Sequence, residues 1–323
     1  MKIVFAGTAE FGVPSLRRLV AEGLAPELVI SQPDRPKGRR GTPTPPPLAA
    51  EAAALGLPLY QPQRLNRPEP RERIGALQPD VLVVIAYGQI LKPKVLALPR
   101  LGCVNLHGSL LPRHRGASPV QAAILAADAE TGVTVMCMDE GLDSGPLLLA
   151  GRTPIAGDDT GGTLHDRLSE MGAPLLVEAL RGLDAGTIVP EPQDPAQITT
   201  CGLIDKRDGL IDWTSGATEI ERRSRAYDPW PGGYTFATVR DRELRLVVER
   251  AEVVEPSDRA AGAVPGCVVH AEGDDLQVAT GQGVLRLLRL KPAGKRAMVT
   301  AEFLRGYPLK PGEHLGSPSE TPS

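Results

Sequence analysis

Val81-Leu82-Val83-Val84-Ile85-Ala86 is apolar at every position. Successive side chains of a strand leave on opposite faces, so a strand with one wet face alternates apolar and polar residues; an unbroken apolar run is covered on both faces. Strands of that kind belong to parallel sheets with helices on either side. Working outward, similar short runs recur at residues 3–6, 27–30, 103–107 and 133–138. Helical patterns lie between them. Residues 14–22 end at Gly23, and after Ser118 the chain places Pro119 at a first helical position, where its missing N–H costs nothing, with Gln121 in capping-box register. Strand and helix alternating up to a long helix read over 162–182 predict an α/β, Rossmann-like domain with a mostly parallel sheet.

Residues 187–202 are polar, rich in Pro and Thr, and without period. They divide the chain into an expected catalytic domain over 1–188, a linker over 189–203, a second domain over 204–316 and a disordered tail over 317–323. In the second domain, short strand patterns at 244–250, 266–271, 276–280 and 284–290 are punctuated by glycine, which predicts a small antiparallel, OB-like barrel. A length of 323 residues suits two domains.

With 36 Lys+Arg against 39 Asp+Glu the net charge is −3, so a nucleic-acid surface has to be a local patch rather than a global field. Two such patches stand out. Arg35, Lys37, Arg39 and Arg40 crowd into one loop without an acid among them, and residues 280–310 hold Arg286, Arg289, Lys291, Lys295, Arg296, Arg305 and Lys310 against Glu302 alone. Each suits phosphate contacts, although a charge run taken by itself is more often a solvated surface. Cys103, Cys137, Cys201 and Cys267 form no C-x-x-C pair, and His114, His165, His270 and His314 are scattered, so neither a disulfide framework nor a metal site is expected. No apolar run nears the ~18 residues of a membrane span, and the cytoplasm is the expected compartment. Gly7-Thr8-Ala9-Glu10-Phe11-Gly12 lacks the middle glycine of a dinucleotide fingerprint, which argues against NAD and ATP.

The chemistry concentrates at the end of the 103–107 strand. Asn105 and His107 are two apart, hence on one face, at the strand's C-terminal end, where open α/β sheets bind ligands. Asp143 follows the next strand, in a loop bracketed by Gly141 and Gly145. An amide, an imidazole and a carboxylate brought together suit attack of an amine on a carbonyl: Asn and His N–H groups facing the oxyanion, and the carboxylate orienting the imidazole, raising its pKa and helping to relay a proton. An Asn-x-His taken alone is more often a hydrogen-bonded structural pair.

Asn105-Leu-His-Gly-Ser-Leu-Leu-Pro-x-x-x-Gly116 together with Gly141-Leu-Asp-Ser-Gly145 resembles the formyl-tetrahydrofolate transferase and hydrolase superfamily. Phe5-Ala-Gly-Thr8, the run Ser31-Gln-Pro-Asp-Arg-Pro-Lys-Gly-Arg39, Ala86-Tyr-Gly-Gln-Ile-Leu91, Asp212-Trp213, Pro229-Trp-Pro-Gly232 and Pro292-Ala-Gly-Lys295 extend the likeness along the chain, toward the branch that formylates methionyl-tRNA. The resemblance implies Asn105, His107 and Asp143 as the catalytic group. It implies Ser109, Leu110, Leu111 and Pro112 as the loop holding 10-formyltetrahydrofolate, the formyl donor, with no metal. The implied acceptor is the α-amino group of initiator methionyl-tRNA, gripped by Arg35, Lys37, Arg39, Arg40, Lys295 and Arg296, with Phe11 lining the methionine pocket or else packing in the core. A monomer acting in translation initiation, with no DNA or membrane partner, completes the expectation. Within the same superfamily the alternatives are a sugar amine, glycinamide ribonucleotide or water as acceptor; outside it, a non-catalytic folate- or RNA-binding protein, which the intact trio disfavours. After Arg39 the chain continues Arg40-Gly41-Thr42-Pro43, where relatives carry a Gly-Lys-Lys type of cluster.

Overall fold

The computed structural model describes residues 1–37, 41–255 and 260–316. They form two compact units: Met1–Pro119 with Glu130–Pro154 and Leu164–Gly202, and Val120–Ala129 with Ile155–Thr163 and the chain from Leu203 onward. The expected tail at 317–323 lies outside the described residues.

The first unit is built on a seven-stranded sheet, in the order Leu59–Tyr60, Leu28–Ile30, Ile3–Gly7, Val81–Ile85, Cys103–His107, Glu130–Cys137, Leu147–Pro154. Ile3–Gly7 and Val81–Ile85 are buried at every residue, as their unbroken apolar character requires. The first five strands run parallel and the last two antiparallel to their neighbours. Parallel pairing needs a long crossover, and residues 138–146 are too few to carry one, so Leu147–Pro154 folds straight back on Glu130–Cys137. That edge strand escapes the sequence reading because Gly151 and Pro154 interrupt its pattern. The helices Val13–Ala21, Pro119–Leu125 and Gly161–Ala185 match the patterns read at 14–22, after Ser118 and at 162–182. Among the described residues no helix is long and apolar enough to cross a membrane.

Residues 187–202 are not slack. Leu147 and Glu191 exchange two backbone hydrogen bonds, at 2.7 and 2.9 Å, and Thr200–Cys201 pairs in parallel with Arg115–Gly116.

In the second unit an antiparallel sheet runs Gly233–Val239, Arg242–Val254, Val284–Pro292, Asp275–Ala279, Val268–Glu272, with Met298–Val299 beside Val284–Pro292. Register shifts near Arg250 bend the long second strand. Residues 312–316 lie between the two edges: Leu315 N–H donates to Gly266 O at 2.8 Å, and Gly316 N–H donates to Phe236 O at 2.9 Å. The sheet thereby closes into a barrel around Trp213, Leu246, Leu276, Leu287, Leu290 and Phe303. The Trp213 indole N–H is satisfied inside by Thr235 Oγ1 at 3.0 Å.

Candidate active site

Strand pairing places Asn105 between Val84 and Met136, and His107 opposite Thr134, at the C-terminal end of the parallel strands. His107 is buried, 6% exposed. Its Nε2 lies 2.9 Å from the carbonyl oxygen of His114. A carbonyl only accepts, so Nε2 carries the hydrogen, and in the neutral ring Nδ1 holds the lone pair. Nδ1 faces Asp143 Oδ2 across 3.7 Å, an ion-pair distance but longer than a direct hydrogen bond. The same carboxylate oxygen accepts the Gly116 backbone N–H at 2.8 Å.

Burial holds the His107 imidazole below its usual value of 6.5; Asp143 and the His114 carbonyl push it upward and do not win. Asp143 raises this pKa as expected, but the loss of water around the ring, which the sequence does not display, outweighs it. A neutral His107 is a base at Nδ1. Its one N–H is directed at the His114 carbonyl. Asn105 is half-buried, and its amide takes no partner among the described residues.

Ser109, Leu111 and Pro112 are buried, and Leu110 is half-buried. Thr134 Oγ1 donates to Ser109 O at 2.7 Å and accepts Leu111 N–H at 3.1 Å, while Ser109 Oγ donates to Arg113 O at 2.6 Å. These bonds, two of them to the Thr134 hydroxyl, fix the path of the loop. Phe11 is buried with its ring edge-on to His165, centroids 5.2 Å apart.

At the carboxyl ends of Ile3–Gly7, Leu28–Ile30 and Val81–Ile85, where the chain order in the sheet reverses, Thr8, Gln32, Arg35, Thr44, Ala86 and Tyr87 line a cavity of about 440 Å³. Such a reversal is where open α/β sheets take their ligands. Tyr87 is itself buried, which pushes its phenol up to about 12.

Arg35 is exposed on a short ribbon, Arg35–Lys37 against Thr42–Thr44; Arg39 and Arg40 lie outside the described residues. In the second unit Lys295 is exposed in a turn, whereas Arg296 pairs with Glu302. Arg286 pairs with Asp275 and Glu252, and Arg289 with Glu249. Counting charge along 280–310 missed these carboxylates because they arrive from adjacent strands.

Two contributors carried no sequence signal. Gln193 donates to the carbonyls of Asp143 and Gly145, and Thr199 Oγ1 accepts the His114 N–H at 2.8 Å. Both lie in the segment without period, and both act on backbone groups that any sequence supplies.

Two family models match the chain, Formyl transferase over residues 1–180 and Formyl transferase, C-terminal domain over 203–308. A protein of Halorhodospira halophila described as methionyl-tRNA formyltransferase is 48% identical over 312 residues, spanning 97% of this chain and 98% of its own. One so described from Methylococcus capsulatus is 48% identical over 317 residues, spanning 98% and 100%. Among solved structures, an N-formyltransferase of Helicobacter canadensis in complex with folinic acid and dTDP-3-aminofucose aligns with a TM-score of 0.64 at 16% identity, over 89% of this chain and 98% of that one. HypX of Aquifex aeolicus in complex with tetrahydrofolic acid aligns with a TM-score of 0.60 at 17% identity, over 98% and 51%. Likeness at that identity speaks for the fold alone.

Proposed function

The chain belongs to the formyl transferase family, and on that premise we propose that it moves the formyl group of 10-formyltetrahydrofolate onto the α-amino group of initiator methionyl-tRNA. The products are N-formylmethionyl-tRNA and tetrahydrofolate. The amine nitrogen attacks the formyl carbon, and the bond from that carbon to N10 breaks. Negative charge gathers on the formyl oxygen meanwhile, and a donor aimed at it, here the Asn105 amide, is worth about 3 kcal/mol in such a site.

His107 handles the proton. Its Nδ1 lone pair takes the hydrogen that the amine sheds, and the resulting imidazolium stands 3.7 Å from the Asp143 carboxylate. Because the ring is buried, that attraction is little screened. The proton then passes to the departing N10. No side chain forms a covalent intermediate.

The reading rests on one observation above the others: likeness at 48% identity, over nearly the whole length, to proteins described as methionyl-tRNA formyltransferases. The sugar nucleotide named with the Helicobacter structure belongs to a protein 16% identical, and no feature described above favours such an acceptor. Initiator tRNA and a cytoplasmic site of action follow from the same reading, with exposed Arg35 and Lys295 offered to phosphates. Purified protein given the formyl donor and charged initiator tRNA is expected to yield formylmethionyl-tRNA; folded protein that yields none overturns the assignment.

A further inference from the structure

Gln193 is half-buried, while Glu191, Pro192 and residues 194–197 around it are exposed. Its amide nitrogen donates to the backbone carbonyls of Asp143 and Gly145, both at 2.8 Å. Its amide oxygen accepts two hydrogen bonds from Arg115, from Nε at 3.1 Å and from Nη2 at 2.8 Å. A primary amide has two donors and room for two acceptances, so this one is saturated. The contacts close a ring, because Arg115 adjoins Gly116, whose N–H holds the Asp143 carboxylate at 2.8 Å. Asp143 itself has φ +49°, a left-handed conformation that a residue with a Cβ keeps only where its surroundings hold it.

Resting on the formyl transfer assigned above, the geometry points to Gln193 as a positioning residue: through the carbonyls of Asp143 and Gly145 it sets the Asp143 carboxylate beside Nδ1 of His107, without touching substrate. The groups facing that pair are few. Beside His107 stands His114, whose ring opposes a second positive charge, and Asp143 faces the Cys201 thiol. The Arg115 cation is bound to Gln193 and gives the amide its direction.

The test compares the wild type with Gln193→Leu, which keeps bulk and loses all four contacts, and with Gln193→Met as a second apolar replacement of fuller length. In either variant kcat falls on the order of 10- to 100-fold, the scale of a small misplacement at a reacting centre, with KM for the donor unchanged. NMR titration of the His107 imidazole shows a pKa below that of the wild type, since the carboxylate that supports its charged form has drawn back. In an Asp143→Asn background, adding Gln193→Leu costs little further. A role confined to folding would lower the melting temperature and leave the titration where it was. An unmoved His107 titration in folded Gln193→Leu and Gln193→Met, or an undiminished further loss of kcat on top of Asp143→Asn, overturns the proposal. The titration needs no substrate, so a chain that formylates nothing sinks the assigned reaction without deciding the fate of Gln193.

Discussion

At His107 two forces oppose each other, and burial prevails over the nearby carboxylate. Asp143→Asn preserves shape and the contact with Gly116 while deleting the charge. Its expected effects are a loss of kcat of about 10²- to 10⁴-fold and a further drop in the His107 pKa, read as an acid limb of the kcat/KM profile displaced to lower pH. The same ring leaves a mark on stability. Its folded-state pKa is depressed below 6.5, so as pH falls through 6.5 the unfolded chain binds a proton that the fold refuses, and stability declines until the lower folded value is passed. Urea unfolding of His107→Gln is expected to lack that part of the acid-side decline; curves for variant and wild type that fall in parallel between pH 7 and 5 contradict it. Asn105, His107 and Asp143 were legible from strand spacing and two glycine-bracketed loops. The direction of the histidine's pKa was not, since only the folded chain reveals how much water the ring loses.

Among the elements, unbroken apolar strands announced themselves and interrupted ones did not. Val81–Ile85 reads as buried from composition alone, whereas Leu147–Pro154 and Gly233–Val239, interrupted by glycine or alternating with polar residues, emerge only as partners of strands already placed. The pairing of Arg115–Gly116 with Thr200–Cys201 was equally hidden, and it depends on one glycine. A Cβ on Gly116 would meet the Cys201 carbonyl oxygen at 2.0 Å, at a φ of +122° that side chains avoid. Gly116→Ala is expected to unzip this pair and release Asp143, seen as faster hydrogen exchange at residues 114–117 and 199–202 together with lost turnover; protection unchanged at both places would contradict the assignment. In the barrel, Leu287 is fully buried, and Leu287→Ala is expected to cost about 2–5 kcal/mol in denaturant unfolding.

Over the whole molecule a net charge of −3 leaves local geometry to decide where an anionic polymer is met. Arg286, Arg289 and Arg296 are already matched by carboxylates, whereas Lys291, Lys295, Arg305 and Lys310 are exposed and make no ion pair among the described residues. If Lys295 meets a phosphate, Lys295→Ala lowers the slope of log affinity for tRNA against log salt by about one, and Arg289→Ala changes it less. Equal slopes for Lys295→Ala and the wild type would remove that lysine from the interface. The closure of the barrel by residues 312–316 bears also on how the protein is made. Until residues 312–316 leave the ribosome, the strands of the second unit that precede them out show two bare rims, each a ready template for a neighbouring nascent chain. The first unit has all its strands by then. Crowded polysomes should therefore aggregate this protein through its later half, and a helper that shields strand edges during translation should matter more to its yield than one that acts after release.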